Sequence, residues 1–177
     1  MTTLGLSRGK VKLLLYQPGW KVLFVREKKR LKRALGDLAV DIQHVGSTSI
    51  PQMTAKPIID INVGVTSLKT TKAIIHKLTK LGYHYLPDRG IPDTRLFLAH
   101  GSDRMRTFYL HLTTYAGEEW NKQLFFRDYL QRHHATARKY VALKKKLAVK
   151  FKEQRELYTA GKAEFIAGIV KKMKNSK

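Results

Sequence analysis

The chain has 177 residues, enough for one domain with a hydrophobic core, and its apolar fraction of 43% is that of a soluble globular protein. Thirty-five lysines and arginines against 13 acidic residues give a formal net charge of +22, so anionic partners are the first to consider. The absence of cysteine excludes disulfides and thiolate chemistry, and the apolar run at residues 11–16 is too short for a signal peptide or a membrane span.

The first half of the chain alternates predicted strands and helices. A helix begins after the Pro-Gly-Trp turn at residues 18–20, with apolar side chains at helical spacing: Phe24, Leu31, Leu35 and Leu38. Ser67 is predicted to cap a second helix, which carries Leu68, Ile75 and Leu78 toward the core and ends near Gly82. The predicted strands of this half cover residues 11–16, 39–45, 58–65 and 83–85.

Two more strands are predicted at residues 95–99 and 107–113, and the pattern is helical from Glu118 onward. Because no repeat or low-complexity linker divides the chain, we treat residues 1–177 as one domain, with an α/β core at 1–115 and a helical part at 116–177. The predicted fold class is α+β, a mixed β-sheet flanked by helices with a helical C-terminal half.

The segment VGSTS at residues 45–49 runs from a strand into a glycine and three hydroxyl residues. Gly46 allows close approach of the backbone, and the hydroxyls of Ser47, Thr48 and Ser49 can act beside free backbone N–H groups, which is an arrangement that binds phosphate. The same residues are also ordinary turn formers, so the segment alone leaves both interpretations open.

A single acidic residue interrupts the apolar strand that follows. The period of two places Ile59, Ile61, Val63 and Val65 on one face and Ile58, Asp60 and Asn62 on the other. A carboxylate in such surroundings is unfavourable unless it is paired, hydrated or bound to a cation, so Asp60 is the strongest candidate for a site residue. Alternatively, Asp60 is a structural carboxylate paired with Lys56 or an arginine.

The ordered motifs of the chain resemble those of the GrpB family over nearly the whole length. The matching segments are YQPGW (16–20), LGDLAVDIQHVGSTSIP (35–51), AKPIIDI (55–61), YLHL (109–112), FRDYL (126–130) and a final Tyr158, Gly161, Lys162, Phe165 pattern. The turn and the following acidic strand are also similar to the signature of the nucleotidyltransferase superfamily with a polymerase-β-like fold, in which Gly46 and Ser47 match the turn and Asp60 matches the first acid.

This resemblance implies a metal site, in which carboxylates hold Mg²⁺ or Mn²⁺ for phosphoryl or nucleotidyl transfer. The position of the second acid is Asn62, which offers a neutral oxygen only. His111 is the candidate for a third ligand, although the family often has a second histidine where this chain has Tyr109. The predicted catalytic residues are therefore Asp60 and His111, and the predicted metal ligands are Asp60, Asn62 and His111, a set that suits a transition metal better than Mg²⁺. Alternatively, His111 is a structural histidine.

Lysines interrupt the apolar stripes of two predicted helices. Lys144 lies four residues after Tyr140, and Lys162 lies four residues after Tyr158, so each falls on the buried face. Such lysines either extend to water or end at a buried anion, and the resemblance favours the anion. Lys144, Lys162 and Arg127, with Lys56, are the predicted counter-charges for a phosphate at Ser47. Arg127 could instead pair with Asp128 or Glu119.

Three functions are compatible with these features. The first is a metal-dependent nucleotidyl- or phosphoryl-transferase, and the second is a non-catalytic protein that binds a nucleotide or a phosphorylated metabolite. The third is a basic protein that associates with RNA or DNA through its charge, without base-specific recognition. We expect a cytoplasmic location and no membrane partner.

Overall fold

The computed structural model describes residues 1–69, 71–102 and 104–174, and the chain folds into one mixed sheet with helices on both faces. The strands are β1 (Leu6–Ser7), β2 (Asp41–Val45), β3 (Ile59–Val65), β4 (Tyr83–Tyr85), β5 (Arg95–Gly101) and β6 (Met105–Thr114). The helices are α1 (Gly19–Leu35), α2 (Lys72–Lys80), α3 (Glu118–Arg132), α4 (His134–Lys150), α5 (Arg155–Ala160) and α6 (Ala163–Lys174). The predicted α+β class with a helical C-terminal half is confirmed.

The strand order is β2-β3-β6-β5-β4, and β1 pairs with β6 outside this path. Only β3 and β6 are parallel among the described strands, and their register places Asp60 beside Tyr109 and Asn62 beside His111. Since both strands alternate with a period of two, the even-numbered residues of β3 and the odd-numbered residues of β6 share one face. The candidate residues Asp60, Asn62 and His111 therefore lie on the same face of the sheet.

The main core lies between the other face of the sheet and helices α1 and α2. It contains the β3 residues Ile59, Ile61, Val63 and Val65, as the alternation predicts, together with Trp20 and Leu31 of α1. Near the candidate face, Ile50 and Met53 pack with side chains of α3, α4 and α6 in a second apolar cluster. The helical half thus covers the face that carries Asp60.

Three local predictions are wrong. Residues 11–16 do not form a strand, because Leu14 exchanges backbone hydrogen bonds with Ala55 at one isolated bridge. Ser67 does not cap α2, which begins at Lys72; its Oγ accepts a hydrogen bond from the Lys69 backbone N–H instead. The helical stripe of α1 stops at Leu35, because Gly36 has φ +55° and begins a 3₁₀ turn (Gly36–Leu38), and this leaves Leu38 exposed.

No helix in the described ranges is both long enough and apolar enough to span a membrane.

Candidate functional site

The turn after β2 is a 3₁₀ turn, Ser47–Ser49, that requires glycine at its start. Gly46 has φ +68°, and a Cβ at this position would lie 2.5 Å from Oδ2 of Asp60. The Ser49 hydroxyl donates to the Gly46 carbonyl at 2.6 Å, and the Thr48 hydroxyl lies 3.0 Å from Nε2 of His44. Two of the three hydroxyls predicted to bind phosphate, those of Thr48 and Ser49, thus make hydrogen bonds within the protein to His44 and Gly46. The Ser47 hydroxyl is the one that faces a lysine.

Lys144 is buried beside this turn, with 1% of its surface exposed. Its ammonium group donates to Oγ of Ser47 at 3.1 Å and to the Thr54 carbonyl, and it lies 4.7 Å from the centre of the Tyr140 ring. Burial, followed by the charges of Lys162 and Lys56, lowers the pKa of Lys144 to about 7. The side chain does not extend to water, so the alternative of a solvated lysine is wrong for this residue.

A second pair of amines faces the ring of Tyr158. Nζ of Lys162 is 4.6 Å from the ring centre, and Nζ of Lys56 is 5.3 Å from it. Burial lowers the pKa of Lys56 to about 7, with further contributions from Lys162 and Arg155, and burial lowers the pKa of Lys162 to about 8. Lys56 and Lys162 share the Tyr158 ring, and their charges also lower the pKa of Lys144, so we call these three amines the lysine cluster.

Asp60 is the carboxylate of the lysine cluster. It opposes the fall in pKa of Lys56 and Lys162. Within the described part of the chain, its ion-pair contact is with Nε2 of His111 at 3.5 Å, and no lysine nitrogen is that close. The structure therefore does not show the Lys56–Asp60 pair considered as a structural role. The carboxylate is 30% exposed and is accessible to a ligand.

The two other predicted metal ligands are less accessible. Asn62 is fully buried, and its Oδ1 accepts a hydrogen bond from the Thr113 hydroxyl at 2.8 Å. His111 contacts Asp60 and the edge of Phe97, while its buried Nδ1 has no hydrogen-bond partner among the residues that the structure describes.

Zinc and calcium sites usually present at least three protein ligands to one ion, whereas Mg²⁺ is held by one or two carboxylates together with substrate phosphates, and a two-metal centre needs several carboxylates. Across residues 1–69, 71–102 and 104–174, no three His, Asp or Glu side chains are grouped closely enough to hold a metal ion. The donors at Asp60 do not fit a two-metal centre.

Arg127 lies apart from the lysine cluster. Its guanidinium donates to Oε1 of Gln43 and to the His44 carbonyl, both at 3.0 Å, and to Oδ1 of Asp128 at 2.7 Å. The pairing with Asp128 is the alternative considered from the sequence, whereas Glu119 pairs with Arg95. Arg127 therefore links α3 to β2 by hydrogen bonds and does not contact Ser47.

The sequence interpretation missed three groups near the turn. His44 stacks on Phe24 with ring centres 4.7 Å apart, and burial lowers its pKa to about 4, so it is neutral. The Thr54 carbonyl accepts from Lys144, and the Tyr158 ring receives two amines. The repeated Tyr-to-Lys spacing of four residues was the one signal that could have identified the tyrosines as part of the site.

Comparison with known proteins supports the fold and the family. A family model described as "GrpB protein" matches residues 10–172. The chain is 37% identical over 173 residues to "Glutamate-rich protein GrpB" of Alkalihalophilus pseudofirmus, an alignment that covers 96% of this chain and 99% of that protein.

Similar crystal structures include the following two. The "conserved protein GrpB" of Enterococcus faecalis has a TM-score of 0.82 at 33% identity, covering 91% of this chain and 96% of the other. The Cid1 poly(U) polymerase has a TM-score of 0.52 at 13% identity, covering 76% of this chain and 44% of the other, which is a likeness of fold alone. The chain belongs to the GrpB family and has a nucleotidyltransferase-like α+β fold.

Proposed function

We propose that the lysine cluster binds the phosphoryl group of a nucleotide or of another phosphorylated small molecule. The observation that carries this proposal is the buried amine of Lys144 on the Ser47 hydroxyl, together with the amines of Lys56 and Lys162 on the Tyr158 ring near the Asp60 carboxylate. Three like charges in a poorly hydrated position are unfavourable for folding, and a bound anion would offset that penalty.

The charges of the cluster define the ligand class. Full protonation gives three positive charges on the amines against one negative charge at Asp60, an excess of two within the cluster, and the guanidinium of Arg155 adds a further positive charge near Lys56. Each amine loses hydration, and the mutual repulsion favours loss of protons near neutral pH. An anion with two negative charges would restore the protonated amines and accept their hydrogen bonds. A phosphate monoester or a pyrophosphate group meets this requirement, whereas a monocarboxylate does not.

Recognition by amines also bears on the role of a metal ion. In two-metal transfer the ions neutralise the phosphates and are held mainly by carboxylates. The described residues here offer Asp60 as the carboxylate and three lysines instead. We therefore propose direct binding of the phosphates by the lysines, and Mg²⁺ or Mn²⁺ dependence stays a prediction from the resemblance. Group transfer is no part of this proposal.

Isothermal titration calorimetry with pyrophosphate and with ATP, each in EDTA, tests the proposal. We expect binding in the chelator and a rise in the melting temperature, because a ligand selective for the folded state stabilises it. Lys146→Met, which removes an exposed charge beside Lys144, is the control and should bind normally. Absence of heat and of thermal stabilisation with both ligands contradicts the proposal.

Replacing Asp60 by asparagine separates direct recognition from metal-mediated binding. If the lysines hold the phosphates, Asp60→Asn removes a repulsive charge, and we expect affinity for pyrophosphate in EDTA to rise about three- to tenfold, corresponding to roughly 1 kcal/mol. If a metal ion carries the binding, the same change abolishes it. The titration is repeated with Mg²⁺, and loss of binding in the variant under both conditions would show that direct recognition is wrong.

The affinity for a dianion of constant charge should depend on pH. Sulfate keeps two negative charges across the neutral range, so any change reflects the protein. Because the pKa values of Lys56 and Lys144 are lowered to about 7 and that of Lys162 to about 8, we expect sulfate affinity to be highest near pH 6 and to fall as pH rises through 7 to 8. Calorimetry from pH 6 to pH 9 measures this, and a constant affinity would contradict the assignment.

A further inference from the structure

A groove of about 1100 Å³ is separate from the lysine cluster but adjoins the same turn. Thr48 and Ser49 are among its lining residues, whereas Ser47 and the three lysines of the cluster are not. One wall is formed by α1, and the other is formed by α3 and α4. The proposed phosphate site leaves this groove without a function.

The walls of the groove carry positive charge. Five basic residues of the described chain line it: Lys21, Lys28, Arg127, Arg138 and Lys145. Asp128 is the one carboxylate among the described lining residues, and it is already bonded to Arg127. Lys28 of α1 is paired with Asp41 at 3.5 Å, so a ligand in the groove meets mainly Lys21 on the α1 side and Arg138 and Lys145 on the α4 side. An extended polyanion fits this distribution.

The floor of the groove is apolar and aromatic. Tyr16, Phe24 and His44 line it, and the imidazole of His44 lies nearly parallel to the Phe24 ring, at 17°. Val25 of α1 and Val141 of α4 add partly exposed apolar surface along the walls. Bases of a single strand can stack on or bury against such a floor while their phosphates meet the cations on the rim. A duplex cannot, because its bases are paired and stacked inside the helix.

We propose that this groove binds single-stranded nucleic acid, with its phosphates on the basic residues of α1 and α4 and its bases against the floor. The net charge of +22 attracts any polyanion, and the groove is where the chain offers an apolar surface between two rows of cations. The site is distinct from the lysine cluster, so binding does not depend on the proposed function of Lys144.

Fluorescence anisotropy with a short labelled oligouridylate tests the proposal. The groove variant Lys21→Glu/Arg138→Glu/Lys145→Glu changes three exposed cations, and Lys72→Glu/Lys77→Glu/Lys80→Glu on α2 makes the same change of net charge outside the groove. We expect the groove variant to bind about 30-fold more weakly, and the slope of log K against log salt to become shallower by roughly 2. The α2 variant should lose about threefold or less in affinity. Melting curves followed by circular dichroism show whether each variant is folded. A triple variant that is unfolded is replaced by the variant with glutamine at the same three positions.

Three outcomes would overturn the proposal. Equal losses in the two triple variants would mean that binding follows net charge alone. If the duplex of oligouridylate with oligoadenylate bound as tightly as the single strand, the groove floor would have no role in binding. Equally effective competition by poly-L-glutamate would show that an acidic polypeptide satisfies the same surface.

Discussion

Lys144→Met is expected to weaken pyrophosphate binding by about 100-fold, the effect of removing one member of a buried charged contact. Lys144 donates to Ser47 and belongs to the lysine cluster, so its loss also removes the hydrogen bond that keeps the Ser47 hydroxyl beside an amine. Methionine is similar in length and apolar, and the Tyr140 ring beside Nζ accepts such a side chain. Calorimetry in EDTA measures the effect.

The same change is expected to stabilise the folded protein without ligand. The pKa of Lys144 is lowered to about 7 in the folded state from its ordinary value of 10.5, so its protonated form destabilises the fold. This penalty is complete below about pH 7 and disappears as the pH rises toward 10.5.

Methionine should therefore raise the free energy of unfolding at pH 6 by about 1 kcal/mol, after allowance for the Thr54 carbonyl that loses its donor. The increase in the free energy of unfolding should be smaller at pH 9, where more of the wild-type lysine is uncharged in the folded state.

Urea unfolding at the two pH values, with Lys146→Met as the matched control, measures this stability. Lys146 is exposed and lies close to Lys144 in the same helix, so its replacement should change neither the affinity nor the free energy of unfolding. Loss of stability at pH 6 together with normal pyrophosphate affinity would mean that Lys144 is a structural residue.

Gly46→Ala is expected to damage both the fold and the site. The backbone at Gly46 has φ +68°, and a methyl group there would lie 2.5 Å from Oδ2 and 3.0 Å from Cβ of Asp60. The strain should lower the free energy of unfolding by about 1–3 kcal/mol, and displacement of Ser47 and Asp60 should reduce pyrophosphate affinity by at least about tenfold. Urea unfolding and calorimetry measure the two effects separately.

Gly168→Ala is the control for this substitution. Gly168 lies within α6, and a Cβ there meets no atom within 4 Å. Alanine should therefore stabilise the helix by about 0.5–1 kcal/mol and leave binding unchanged. Wild-type stability and affinity in Gly46→Ala would show that the close contact between the turn and Asp60 is not needed.

The parts of the site that depend on local periodicity could be predicted from the sequence. Strand alternation placed Asp60 on the face opposite Ile59 and Ile61, and helical spacing placed Lys144 beside Tyr140 and Lys162 beside Tyr158. These relations require only the geometry of one strand or one helix. The resemblance to the GrpB family then indicated that the segments belong to one site.

The parts that depend on tertiary partners could not be predicted. Residues 11–16 have the composition of a strand, but in the described part of the chain their backbone partners are scattered: Ala55 bonds to Leu14, and the Lys152 carbonyl accepts from Val11. The sequence predicts a phosphate contact for Arg127, yet its guanidinium donates hydrogen bonds to the Gln43 side chain and to the His44 carbonyl. The sequence also could not show that Asn62 bonds to Thr113, because the two residues are 51 positions apart. Each outcome depends on which groups the fold brings within hydrogen-bond distance.

The crystal structure of the pyrophosphate complex, grown in EDTA, tests the central claim most directly. We expect the phosphoryl oxygens to lie within hydrogen-bond distance of Nζ of Lys56, Lys144 and Lys162 and of the Ser47 hydroxyl. A pyrophosphate found only at surface cations, or bound only when a metal ion joins it to Asp60, would contradict direct recognition by the lysine cluster.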